Sequence, residues 1–93
     1  MKKSEYEIKV TGTTDNWTFG TVRRADGGEP YVFQAKHYDE PSQFGIEGGR
    51  ISKLCVRRDG ESKDVIAYER GWLVEPRTAA HRAVLTALKE RFN

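Results

Sequence analysis

Polar and apolar side chains alternate along Glu5-Tyr6-Glu7-Ile8-Lys9-Val10, the period-2 pattern of a strand with one buried face. Turn-forming residues cluster from Gly12 to Asn16. A second strand then runs to about Arg24, with Trp17 and Phe19 on one face and Thr21 and Arg23 in the same phase. Asp26-Gly27-Gly28-Glu29-Pro30 breaks the pattern, because glycine accepts positive φ and proline cannot donate to a strand ladder. Tyr31 to Tyr38 predicts a third strand, with Phe33, Ala35 and His37 on one face and Gln34 and Lys36 on the other.

The fourth strand, Arg50 to Arg58, sets Leu54 and Val56 against Ile51, Lys53, Cys55 and Arg57. Asp59-Gly60 is a strong hairpin signal within the connection to Lys63. Asp64 to Arg70 completes a fifth strand, and Gly71 ends it. From residue 78 the period changes. His81, Val84, Leu85, Leu88 and Phe92 form one helical stripe, with Ala80 and Ala87 at its margins. Thr78 supplies an N-cap, Pro76 keeps the incoming chain extended, and Lys89 and Arg91 suit the negative end of the helix dipole. A helix of this length is marginal alone, so its stripe must lie on the sheet. The expected fold is α+β: an antiparallel, meander-like sheet of about five strands with one C-terminal helix packed on one face. One domain is expected to span residues 1–93. Strands four and five are apolar on both sides, so the pattern leaves open which face the helix covers.

Composition makes the core thin: 37% of the 93 residues are hydrophobic and 32% charged. Ten aromatics, four Phe, four Tyr and two Trp, compensate in part. Sixteen basic and fourteen acidic side chains leave a formal charge of +2, which argues against an acidic nucleic-acid mimic. It also leaves any nucleic-acid reading to local charge rather than net charge. Cys55 is the only cysteine, so no intrachain disulfide forms. The start, Met1-Lys2-Lys3-Ser4-Glu5, lacks the apolar run of a signal peptide, and no segment has the roughly 20 apolar residues of a membrane span. These features point to the cytoplasm, without membrane association, as a monomer or a homodimer.

The eleven-residue loop Asp39–Gly49 is long for so small a chain, and ordered long loops tend to carry function. Phe44 and Ile46 require cover, either from the core or from a partner. The potential metal ligands there, His37, Asp39, Glu40 and Glu47, match no zinc, HExxH or calcium pattern, so no metal or other cofactor is expected. Glu47-Gly48-Gly49-Arg50 precedes a strand rather than the helix of a phosphate-binding loop. Cys55 has Lys53 and Arg57 on its face, which would lower its pKa on an open surface, but no imidazole base is in view. With Ser42 also lacking a partner, no acid–base or nucleophile–base set emerges, and an enzyme is not expected. If Phe33, Leu54 and Val56 face the helix, the opposite face carries Lys36, Tyr38, Lys53 and Arg57, a mixture of cations and an aromatic suited to single strands.

The stretch Phe33-x-Ala35-Lys36-x-Tyr38-Asp39-Glu40-Pro41-Ser42-x-Phe44-Gly45-Ile46-x-Gly48-Gly49-Arg50-Ile51-Ser52-Lys53-Leu54, with the later Tyr68-x-Arg70-Gly71-Trp72, covers roughly the middle half of the chain. It resembles a family of short proteins of unknown function from bacterial, phage and mobile-element genomes. The resemblance transfers no catalytic role. It implies a context in which small proteins bind and block a host protein, such as a CRISPR-type defence nuclease. The leading expectation is therefore a non-enzymatic protein-binding module using Tyr38, Asp39, Glu40, Phe44, Glu47, Arg50 and Trp72, with Phe44 as apolar anchor and Arg50 as polar rim. The first alternative is a nucleic-acid-binding domain using Lys36, Lys53 and Arg57, and the second a small enzyme of unknown reaction.

Overall fold

A computed structural model describes residues 6–28 and 30–93. The expected strand start at Glu5 and the turn residue Glu29 lie outside the described residues. Six strands follow the chain: β1 (Tyr6–Thr14), β2 (Trp17–Arg24), β3 (Tyr31–His37), β4 (Ile51–Arg58), β5 (Asp64–Glu69) and β6 (Trp72–Val74). Among the described residues, a single 3-10 turn, Ile46–Gly48, sits between β3 and β4, and one helix, α1 (Ala79–Phe92), closes the order. The strands pair antiparallel in sequence order, β1 to β6, as one meander. The fold is α+β, with one strand more than the pattern predicts.

That strand exists because the chain reverses at Arg70, which adopts a left-handed φ of 58°, and Gly71. Tyr68 then pairs with Trp72 and Ala67 with Val74. β1 also runs past the expected turn at Gly12, to Thr14. A bulge between Val10 and Gly12 absorbs one residue, and Asp15, at a φ of 53°, turns the chain instead.

The helix settles which face is covered. Val84, Leu85, Leu88 and Phe92 pack on Val22, Phe33, Ala35, Leu54, Val56, Ile66 and Tyr68. α1 lies along β3, with His81 edge-on to Tyr31 at 5.8 Å and Phe92 against Phe33 (5.7 Å) and His37 (5.0 Å). The Thr78 hydroxyl accepts from the His81 amide at 3.0 Å, the expected N-cap. Burying each aliphatic side chain of the stripe is worth about 1.5–3 kcal/mol, far more than the helix's own propensity.

One expected facing is corrected. Ile51 does not share the open face with Lys53 but is fully buried. The register slips between Lys36 and His37, so that His37 opposes Ile51 and Ser52 is the extra residue. The slip breaks the alternation and turns both Ile51 and Ser52 inward. Among the described residues, no helix is long and apolar enough to cross a membrane.

Candidate functional site

Backbone bonds first fold the loop between β3 and β4 on itself. Ser42 N–H donates to the Gly49 carbonyl (3.0 Å), Gly45 N–H to Ser42 (2.9 Å) and Gly49 N–H to Ile46 (2.9 Å). The Ser42 hydroxyl also accepts from the Phe44 amide at 3.1 Å. Ile46 is then driven wholly into the core. The end of the helix locks this arrangement: the Asn93 side chain donates to the Ile46 carbonyl (3.0 Å) and accepts from the Ile51 amide (2.9 Å). Two glycines make room for it. A Cβ on Gly45 would collide with the Gly49 carbonyl, and one on Gly49 with the Asn93 side chain. The Lys89 ammonium pairs with Glu47, tying the loop to α1.

Phe44 stays outside this clasp, with 44% of its surface exposed. The Arg70 guanidinium lies 4.4 Å from the centre of its ring, a cation–π contact. Its carbonyl accepts from the Tyr68 hydroxyl at 2.9 Å, and the Tyr68 ring meets Trp72 edge-on at 5.0 Å. Trp72 is 38% exposed and Leu73 68%. The result is a ledge of Phe44, Arg70 and Trp72 seated on the buried Tyr68. It borders β6, the last strand of the sheet, whose outer side has no neighbouring strand among the described residues.

The seven residues expected to bind a partner separate in space. Phe44 and Trp72 are joined through Tyr68 and Arg70. Glu47 and Arg50 belong to the clasp, Glu47 through Lys89 and Arg50 through its Nε, which donates to the Asn93 carbonyl at 3.4 Å. Asp39 and Glu40 are exposed. Tyr38, 39% exposed, has the Lys36 ammonium 5.7 Å from its ring. Arg70, Tyr68 and Leu73 were absent from the expected set. The Tyr68-x-Arg70-Gly71-Trp72 motif was the signal that could have found the first two.

The side of the sheet away from the helix holds the other set. Cross-strand register aligns Trp17, Lys36 and Lys53, then Phe19, Gln34 and Cys55, then Thr21, Val32 and Arg57. Trp17 and Phe19 lie nearly parallel, 14° apart with centroids 6.4 Å apart. Lys53 pairs with Glu69 at 3.3 Å. Phe19, Cys55 and Arg57 help line a hollow of about 190 Å³ on this face. Burial pushes the Cys55 thiol up, reinforced by Asp64 and Glu69 and only partly opposed by Arg57. Burial and the two acids thus outweigh the lowering by Arg57. Both described histidines are held low, His37 by burial and then Arg50, His81 by burial and then Arg58. Among the described residues, no group of three or more His, Cys, Asp or Glu side chains could hold a metal ion.

No curated protein and no solved structure matches the chain. One family does, described as a domain of unknown function (DUF7678), and its match over residues 16–93 spans β2 to α1, including the clasp, the ledge and most of the open face. The chain belongs to the DUF7678 family, an uncharacterised family as the two motifs imply.

Proposed function

We propose that the protein is a non-enzymatic protein-binding module and that its contact surface is the ledge of Phe44, Arg70 and Trp72. A single observation carries this reading: an apolar ring left 44% exposed on a loop whose neighbouring Ile46 is fully buried. The loop has the means to hide an apolar side chain and hides only one of the two. The ring is also fixed in place, by Arg70 over its face and by Tyr68 on its backbone. Aromatic and arginine side chains carry a large share of interface energy, and a surface ordered before contact loses less entropy on binding. Inhibition of a host protein by a mobile-element product is the finer form of this reading, and the motif resemblance alone supports it.

The test compares tagged wild-type, Phe44→Ala and Asp26→Ala chains as baits in a lysate of the native host, with captured proteins identified by mass spectrometry. Asp26 lies in the β2–β3 turn, where it pairs with its neighbour Arg24 at 3.2 Å and is exposed, so it serves as control. The expected result is a protein captured by wild type and Asp26→Ala but lost with Phe44→Ala. Truncation of a central anchor weakens binding by about 30-fold or more. Capture of the same proteins by all three baits refutes the ledge as the contact surface.

A further inference from the structure

We infer that the sheet face opposite the helix is a second binding site, for single-stranded nucleic acid. The inference goes beyond the protein-binding reading and rests on a different surface. Its first support is the distribution of charge. The outward positions of β2, β3 and β4 carry Arg23, Lys36, Lys53 and Arg57 and no acidic side chain, while the acids of this face stand on the flanking strands, Glu7 opposite Arg23 on β1 and Asp64 and Glu69 on β5. A near-neutral chain therefore presents a locally cationic, three-strand platform.

The second support is the aromatic content of the same platform. Trp17 and Phe19 lie nearly parallel on β2. Lys36 is in register with Trp17 and reaches within 5.7 Å of the Tyr38 ring, so a cation stands between aromatic groups. Single strands are held by this combination: base faces stack on aromatic rings and phosphates meet cations alongside. A protein occupant would want opposing charge or apolar surface. A polyanion with flat bases satisfies the cations and the rings together. In this arrangement Trp17, Phe19 and Tyr38 receive bases, and Lys36, Lys53 and Arg57 receive phosphates.

The experiment is fluorescence anisotropy with labelled oligo(dT) and oligo(U) of about 15 nucleotides, within the span such surfaces occupy. Three phosphate contacts give a slope near −2 in log affinity against log salt, so binding weakens about 20-fold between about 50 and 200 mM salt. Binding of either oligonucleotide with that dependence supports the site, and the tighter of the two identifies DNA or RNA as the source. Trp17→Ala is expected to weaken binding about tenfold or more. Lys36→Gln lowers the salt slope by about 0.7 and serves where Trp17→Ala does not fold. Phe44→Ala leaves binding unchanged, which separates this site from the ledge. Three results would overturn it: no anisotropy change at low salt, affinity indifferent to salt and to Lys36→Gln, or sedimentation showing a dimer whose formation excludes the oligonucleotide.

Discussion

Replacing Phe44 and Ile46 one at a time by alanine tests the division of the loop into anchor and ledge. Ile46 is fully buried within the core, and Ile→Ala at such a site costs about 2–5 kcal/mol. Phe44 keeps a little over half of its surface covered, so burial contributes roughly half of the 1.5–3 kcal/mol of a fully buried ring. The exposed contact with Arg70 adds about 0.5 kcal/mol. Phe44→Ala should then destabilise by about 1.5 kcal/mol, and Ile46→Ala by about 3–4 kcal/mol. Urea unfolding followed by far-UV circular dichroism separates the two at constant m. In thermal melts of a chain this size each kcal/mol shifts Tm by about 4–8 °C, so Ile46→Ala should melt well below Phe44→Ala. Binding distinguishes them further: Phe44→Ala abolishes partner capture in a folded protein, whereas Ile46→Ala loses capture together with the fold. Equal losses of stability would place Phe44 in the core and remove the ledge. A loss below about 1 kcal/mol for Ile46→Ala would show that the clasp does not hold the loop.

Arg70 holds a left-handed φ of 58°, which costs a non-glycine residue about 1–2 kcal/mol. Arg70→Gly should leave stability within about 1 kcal/mol of wild type by thermal melt while weakening partner capture, and a loss above about 2 kcal/mol would contradict the strain argument. Burial lowers the pKa of both His37 and His81, so the unfolded chain takes up protons first as pH falls. Stability from this source is full above the ordinary histidine value of 6.5 and declines below it towards the lowered native values. Urea midpoints at about pH 7.5 and 5.5 should differ, His37→Gln should reduce the difference, and equal midpoints refute the sign. Cys55, held high by burial beside Asp64 and Glu69, should react with an aromatic disulfide reagent at pH 8 far more slowly in the native protein than in urea. Equal rates would mean the thiol is neither covered nor suppressed.

The strands up to β5 and the helix were legible in the chain because each displays its own period over six or more residues, punctuated by Asp15-Asn16, Gly27-Gly28, Asp59-Gly60 and Thr78. β6 was not legible, since Trp72-Leu73-Val74 is too short to show alternation and follows a glycine that reads as a stop. Facing was decided by register, a property of two strands together. The slip between Lys36 and His37 buries Ile51, and cross-strand alignment sets Trp17 beside Lys36 and Lys53. The loop shows the difference most sharply. Phe44 and Ile46 carry the same apolar signal two residues apart, yet Asn93, 47 residues beyond Ile46, fastens the isoleucine inside while Arg70 and Tyr68 hold the phenylalanine at the surface. Local stereochemistry and periodicity specify elements. Contacts between residues distant in the chain, available only once the helix has closed on the sheet, choose which side chains stay at the surface.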